Sequence, residues 1–321
     1  MMKKIFIFLL ITVALSSCYD DYIKDFEYNS TYFTYQTDVR SIIVGEDNSF
    51  QFGVVLAGVR QNLIDREVGF TIDPTLINSS ILAALKSGNQ KAAMGSVTAL
   101  KLLPANYYQL SDNSKIVIKA GSHFGTVRIT VNDNFLSDIE AVAPNYAIPL
   151  RITNAGDSVL PAKSYTVIAI KYENMLFGNY WHGGVTTRDS AGVAVKPIKY
   201  YTQIPSADAL AWALTTTGLN SLTTNGVSAK SSSAKPEIKL TLNNDGKIIV
   251  SEVAGATYKV LPDGESSFNK AKLLQNRKIF LSYKYQDAAG IWYHAKDTLT
   301  FRNRIRDGFN EWEDENPEHY K

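Results

Sequence analysis

The aromatic residues best suited to bind a ligand lie in the second half of the chain, which holds all four tryptophans. Residues 279–285 and 291–301 read as two strands whose odd-numbered positions are mostly apolar. Because side chains alternate between the faces of a strand, Trp292, His294 and Lys296 are predicted to share the polar face. A flat ring beside hydrogen-bonding groups suits the apolar C–H face of a sugar. These three residues are therefore candidate glycan ligands, and packing of Trp292 under a loop or another domain is the alternative.

Three further aromatic residues are candidates for the same role. Tyr180 and Trp181 stand beside His182 at the start of the first strand of this half, where a place in the core is the alternative. Trp312 lies in an acidic tail, either as an exposed platform or as an anchor of that tail. Trp212 has the same parity as neighbouring apolar residues and is predicted to be buried.

Catalytic and metal-binding patterns are sparse. The four histidines show no His-x-x-x-His spacing, and the chain has neither a Gly-x-Ser-x-Gly elbow nor a phosphate loop. The carboxylates at 311 and 313–315 lie in a polar tail that is a poor place to raise a carboxyl pKa. No metal, cofactor or catalytic residue is predicted. A carboxylate pair for glycoside hydrolysis stays open, because spatial separation rather than sequence spacing defines it.

The start of the chain has a secretory pattern. Lys3 and Lys4 precede a mostly apolar run over residues 5–15, which is too short to span a bilayer permanently. The run ends in Leu-Ser-Ser followed by Cys18, the only cysteine. This arrangement resembles a bacterial lipoprotein signal over about eighteen residues. The resemblance implies cleavage before Cys18 and attachment of lipid to it, so that acyl chains tether the mature protein to a membrane.

Composition limits the function classes. The 321 residues carry a net charge of +2, and two of the positive charges leave with the signal peptide. The mature protein is then close to neutral, which argues against nucleic-acid binding because that requires a basic surface. Once Cys18 is lipidated no thiol remains for a disulfide, a nucleophile or a metal site.

Hydrophobic periodicity predicts an all-β fold in two domains. We expect a signal peptide over 1–17, an acidic tether over 18–29, an immunoglobulin-like antiparallel sandwich over 30–174, and a second β domain over 175–321. The second domain is predicted to be another sandwich or a small meander barrel, since hairpin turns join consecutive strands. The predicted strands cover residues 32–35, 41–44, 50–56, 68–72, 115–118, 126–131, 147–153, 165–172, 199–203, 212–216, 238–242, 248–252, 279–285, 291–295 and 298–302. A short helix is expected over 76–86.

Both domains resemble domains of Bacteroidota outer-membrane lipoproteins. The N-terminal matches are residues 32–34 (YFT), 40–45 (RSIIVG), 52–60 (FGVVLAGVR), 103–108 (LPANYY) and 165–167 (YTV). The C-terminal matches are residues 177–184 (FGNYWHGG) and 298–308 (TLTFRNRIRDG). A related N-terminal domain precedes the catalytic barrel of some endo-β-N-acetylglucosaminidases, but this chain lacks that barrel and its Asp-x-Asp-x-Glu run.

The resemblance implies membership of a polysaccharide-utilisation system of the starch-utilisation type, in which surface lipoproteins bind glycans beside an outer-membrane importer. Asp20 and Asp21 are similar to the signal that sends such lipoproteins to the cell exterior. The sequence thus predicts a non-catalytic, surface-anchored glycan-binding protein in which the first domain is a spacer. A structural protein that docks onto the importer complex is the main alternative, and a glycoside hydrolase is a further one.

Overall fold

The computed structural model describes residues 28–88, 91–190, 195–200, 210–231 and 236–319. The predicted signal peptide, Cys18 and most of the predicted tether lie outside the described residues. The fold is all-β, as the periodicity predicts, and consists of a sandwich followed by a barrel. Among the described residues no helix is both long enough and apolar enough to cross a membrane.

Two sheets form the sandwich. Its strands are β1 (Ser30–Phe33), β2 (Thr37–Ile43), β3 (Ser49–Ala57), β4 (Arg66–Ile72), β5 (Lys101–Leu102), β6 (Tyr108–Leu110), β7 (Lys115–Ile118), β8 (Phe124–Val131), β9 (Tyr146–Ala155), β10 (Ser158–Val159) and β11 (Tyr165–Glu173). One sheet has the order β10-β1-β3-β8-β6 and the other the order β2-β11-β9-β4-β7. Apart from β4 and β5, which lie in the same sheet, consecutive strands alternate between the two sheets, so the predicted sandwich is present. The pairings β1–β10, β2–β11 and β5–β9 are parallel, so the sandwich is not purely antiparallel.

The segment between β4 and β5 covers the outer face of the second sheet. Helix α1 (Ser79–Ser87) packs Ile81 and Leu85 against Val167 and Ala169 of β11. It starts three residues later than the predicted helix, because the Asn78 side chain accepts a hydrogen bond from the Ile81 N–H and caps it. β11 is consequently buried on both faces and reads as an apolar run. A second helix, α2 (Asp133–Ser137), closes one edge of the core.

The second domain is built from consecutive antiparallel strands. They are β12 (Gly178–Arg188), β13 (Ile198–Tyr200), β14 (Leu210–Gly218), β15 (Ser221–Thr224), β16 (Gly226–Val227), β17 (Lys230–Ser231), β18 (Ile238–Leu242), β19 (Lys247–Glu252), β20 (Lys259–Pro262), β21 (Ser266–Phe268), β22 (Lys278–Gln286), β23 (Trp292–Arg306) and β24 (Phe309–Glu311). Short 3₁₀ turns lie at Pro74–Leu76, Ala105–Tyr107, Ile139–Val142, Pro161–Lys163, Leu274–Asn276 and Pro317–His319.

Pairing of β12 with β23 closes eight of these strands into a barrel, in the order β12-β14-β15-β18-β19-β21-β22-β23. Of the two predicted architectures, the meander barrel is therefore the one found. The predicted strands 291–295 and 298–302 are one continuous strand, β23. One of the expected hairpin turns joins β18 to β19 at residues 244–246, where Gly246 supplies a positive φ of 84°. Strands β15, β20 and β21 carry little period-two signal and were not predicted.

The two domains meet through a short, buried junction. β11 ends at Glu173, and the fully buried Asn174 donates from its amide to the Leu219 carbonyl at 2.7 Å. The Asn174 N–H also donates to the Thr216 hydroxyl at 3.0 Å. Because both contacts tie the connecting residues to the barrel, the junction has little freedom to bend.

Glu46 in the turn between β2 and β3 makes the main ionic contact between the domains. Arg304 of β23 donates to both Glu46 carboxylate oxygens, at 2.7 and 2.9 Å, and Arg306 donates at 3.2 Å. Arg277 lies 3.6 Å from the same carboxylate. The Arg304 and Arg277 side chains are almost fully buried, so this network is shielded from solvent.

Candidate functional site

The outer face of β23 carries three of the six predicted ligand residues, and a fourth lies beside this face in a separate group. Trp292, His294 and Lys296 lie on this face at one end of the strand. Trp181 of β12 lies beside Thr300 near the other end. Eight residues separate positions 292 and 300, so the groups are on the order of 25 Å apart and form two different surfaces.

Cations already occupy the vicinity of Trp292. The Lys284 and Lys259 ammonium groups lie 5.2 and 6.0 Å from the centroid of its ring. Lys296 is exposed, and its ammonium makes no hydrogen bond or ion pair with the described residues. This group is thus a charged surface in which the indole is partly covered.

His294 is held between two carboxylates. Its Nδ1 lies 2.7 Å from Asp263 Oδ2 and its Nε2 lies 3.0 Å from Asp189 Oδ1. The hydrogen bond to Asp263 is the main cause of a raised His294 pKa, and the bond to Asp189 adds to it. Because both ring nitrogens are hydrogen-bonded, His294 holds the segments that carry Asp263 and Asp189 against β23, and it has no free nitrogen for a ligand.

We expect this histidine to make stability depend on pH. Its folded pKa is raised above the unfolded one, so the stabilisation is complete below about pH 6.5 and is lost as pH rises through the folded pKa. In an NMR titration Asp263→Asn should lower the His294 pKa more than Asp189→Asn does. Equal pKa values in all three proteins would contradict this.

Tyr180 is not a surface residue, which corrects its assignment as a glycan ligand. It is fully buried in the barrel, where its ring packs edge-on against Phe301 at 5.5 Å. Its hydroxyl donates to the Leu176 carbonyl at 2.9 Å, which satisfies its polar atom internally. Adjacent residues of a strand point to opposite faces, so Tyr180 and Trp181 cannot both reach solvent. Trp212 is buried, as predicted.

Asparagine side chains connect Trp181 to Trp312 across three strands. Asn179 of β12 donates to Asn303 of β23 at 3.3 Å, and Asn303 donates to Asn310 of β24 at 2.6 Å. This surface, here named the tryptophan–asparagine surface, consists of Asn179, Trp181, Arg302, Asn303, Asn310 and Trp312. Each amide retains donor or acceptor capacity beyond these bonds. The surface therefore combines aromatic rings with amide groups that remain able to bond a ligand.

The two tryptophans at its ends differ in exposure. Trp312 is 57% exposed, while Trp181 is half-buried under the Arg302 guanidinium, 4.4 Å from the ring centroid. The chain after Trp312 is fixed, because Asp314 exchanges two hydrogen bonds with the Gln275 amide at 2.9 and 3.0 Å. Trp312 is thus held in place with its ring in solvent.

The barrel contains a buried polar network that was not predicted from the sequence. Asp297 accepts hydrogen bonds from Tyr200 and, at 2.7 Å, from Tyr283. His182, stacked on Trp212 at 3.9 Å, lies 3.0 Å from Asp297, but the alignment is too poor for a hydrogen bond. Burial first, and the nearby carboxylate second, raise the pKa of Tyr200 and of Tyr283, so both hydroxyls stay protonated and donate. The network is closed to ligands and supports the barrel.

A cleft of about 540 Å³ runs between the domains beside the β23–β24 turn. Tyr35 and Phe309 flank it with exposed rings. Asp307 and Gly308 form the turn with positive φ angles of 53° and 85°. Burial raises the pKa of Asp307, whose carboxylate accepts from the Ser41 N–H at 2.8 Å. The turn thereby covers the free edge of β2. Within the described ranges no cluster of three or more His, Cys, Asp or Glu side chains could hold a metal ion.

Comparisons with known proteins define the class. Residues 2–18 match the prokaryotic membrane lipoprotein lipid attachment site. Residues 19–159 match the family model of a domain described as the N-terminal domain of its family. The chain is therefore a lipid-anchored, membrane-associated protein with an all-β body. No curated protein matches it.

A solved structure shares the fold. A crystal structure of a protein of unknown function from Bacteroides ovatus superposes with a TM-score of 0.68 at 21% identity, covering 89% of this chain and 98% of that one. A multidomain protein including DUF1735 from the same organism gives a TM-score of 0.47 at 14% identity, covering 89% of this chain and 100% of that one. The first of these is a likeness of fold.

Proposed function

We propose that the protein is a cell-surface lipoprotein that binds an extracellular glycan on the tryptophan–asparagine surface and performs no chemistry on it. The observation that carries this proposal is the exposed Trp312 at one end of the asparagine chain, with Trp181 at the other end. A pyranose can stack on an indole face while its hydroxyls bond the neighbouring amides. The Arg302 guanidinium adds donors at the Trp181 end.

The position of the barrel supports a role outside the cell. β1 begins at the end of the sandwich where the lipid-bearing segment enters, and β11 leaves at the opposite end, toward the barrel. β11 has nine residues, so the sandwich sets the barrel roughly 30 Å farther from the anchor. We place the anchor in the outer membrane, facing the exterior, within a polysaccharide-utilisation system of the starch-utilisation type.

Calorimetric titration of the soluble chain, residues 19–321, against a panel of oligosaccharides tests the proposal. Trp312→Ala should weaken binding of the recognised glycan about tenfold, corresponding to about 1.4 kcal/mol, because the main stacking surface is removed. Trp292→Ala at the other end of β23 is the matched control and should leave the affinity unchanged.

Other outcomes separate the alternatives. A loss of glycan affinity in Trp292→Ala but not in Trp312→Ala would show that the binding site is the charged surface around His294. No heat with any glycan, together with retention of an importer complex in a pull-down from solubilised membranes, would favour docking instead. Release of reducing sugar would establish a hydrolase.

A further inference from the structure

We infer that the end of the sandwich nearest the lipid anchor has a second membrane contact of its own, an apolar tip that inserts into the bilayer surface. The tip consists of Tyr28, Leu63, Ile64 and Phe124, which are 87%, 77%, 61% and 64% exposed. Single exposed apolar residues are common on protein surfaces. Here a consecutive Leu-Ile pair and two aromatic rings lie in the loops and strand ends of one end of a domain.

The loop that carries Leu63 and Ile64 is held firmly. The buried Asn62 donates from its amide to the carbonyls of Lys119 and Ser122, at 2.9 and 3.0 Å, and accepts from Arg66 at 2.9 Å. The Gly121 N–H donates to the Asn62 carbonyl at 2.7 Å. These bonds join loop 58–65 to loop 119–123. The two aliphatic side chains therefore stay presented to the outside and do not fold back onto the core.

The geometry of the chain places this tip next to the anchor. In β1, Ser30 pairs with Ala57 at the end of β3 and with Ser158, so the N-terminal segment enters at this end of the sandwich. Tyr28 stands ten positions after Cys18, the residue that the lipid attachment site assigns for acylation. Ten residues span at most about 35 Å even when fully extended. The acyl chains thus keep the tip close to the bilayer at all times.

Charges in the two loops that carry the tip do not oppose insertion. Asp65 is the only acidic residue in the loops 58–65 and 119–123, and the Lys119 ammonium pairs with it at 2.7 Å. Asp157 in the adjacent turn is buried against Arg66. With both carboxylates neutralised, an anionic membrane surface does not repel these loops, and the remaining acidic residues near this end, Asp20, Asp21, Asp25 and Glu27, belong to the predicted tether.

The partner of the apolar tip is more readily a lipid bilayer than a protein. The anchor brings a bilayer to this end in every molecule, whereas a protein partner would have to be recruited. Aliphatic and aromatic side chains are the groups that bury well at the boundary between headgroups and acyl chains. The inference rests on lipid anchoring and is independent of glycan binding.

Site-specific labelling of the full-length lipidated protein tests the inference. Because the Cys18 sulfur carries lipid, Ile64→Cys provides a single free thiol for a fluorophore. Ile305→Cys is the matched control, since Ile305 is 59% exposed but lies on the barrel side of the molecule. In phosphatidylethanolamine–phosphatidylglycerol vesicles, lipids with nitroxide-labelled acyl chains should quench the label at 64 by about half and leave the label at 305 unchanged.

A second labelling position guards against a local artefact. Phe124→Cys should also be quenched, and Leu63→Gln with Ile64→Gln should abolish that quenching while the protein stays folded, because both residues are exposed. Absence of quenching at 64 and 124 overturns the inference. Protection of these labels from aqueous iodide in native membranes without quenching by nitroxide lipids also overturns it, since a protein would then cover the tip.

Discussion

Replacement of Glu46 with alanine is expected to lower the free energy of unfolding by about 3–5 kcal/mol. The variant would leave the guanidinium groups of Arg304 and Arg277 buried at the domain junction without the carboxylate that neutralises them. Glu311, which also pairs with Arg304 at 2.5 Å, compensates only in part. Since Glu46 comes from the sandwich and its partners from the barrel, the loss should appear as weakened coupling between the domains.

Denaturant unfolding followed by tryptophan fluorescence and circular dichroism measures this effect. All four tryptophans lie in the second domain, so fluorescence reports on that domain and circular dichroism on both domains. In Glu46→Ala the two transitions should separate. Asp47→Ala is the matched control, because its carboxylate is 64% exposed and its contacts, an ion pair with Arg128 at 3.1 Å and a hydrogen bond from the Ser49 hydroxyl at 2.9 Å, lie at the surface. This variant should lower the free energy of unfolding by less than about 1 kcal/mol. If Glu46→Ala and Asp47→Ala lost equal free energies of unfolding, the role of Glu46 at the domain junction would be refuted.

Asp297→Ala should destabilise the barrel by a similar amount, about 3–5 kcal/mol, through a different cause. The change removes the acceptor of two buried tyrosine hydroxyls, Tyr200 and Tyr283. Each buried donor left without a partner costs about 1–3 kcal/mol. The small cavity left by the missing carboxyl group adds to the loss.

The neighbouring Lys296→Ala is the control for Asp297→Ala, because Lys296 lies on the same strand but points to solvent. Thermal unfolding should show a large fall in Tm for the first variant and almost none for the second. Asp297→Asn, which keeps one acceptor oxygen, should lie between them. A Tm for Asp297→Ala as high as that of the unmodified protein would show that the network does not support the barrel.

The local alternation of apolar and polar residues was sufficient to predict much of the fold. β7 and β18 have the predicted limits, because alternation of buried and exposed residues matches the pleat of a half-buried strand. The same parity rule placed Trp292, His294 and Lys296 on the outer face of β23. Asp297 was not singled out from the sequence, although its odd number puts it on the inner face, where a carboxylate among apolar residues signals a buried polar network.

The tryptophan–asparagine surface could not be read from the sequence. Asn179, Asn303 and Asn310 come from β12, β23 and β24, and they meet only because β12 pairs with β23 when the barrel closes. A pairing between strands more than a hundred residues apart leaves no periodic trace in either segment. The ion pair between Glu46 and Arg304 was equally unpredictable from the sequence, because it forms only where the two domains contact each other.

The buried junction around Asn174 has a mechanical consequence. Force applied to the barrel passes directly into the sandwich, because the connecting residues are held on both sides. Under the proposed glycan binding, drag on the bound polymer would therefore tilt the barrel and the sandwich together, as one stiff body, about the acylated terminus.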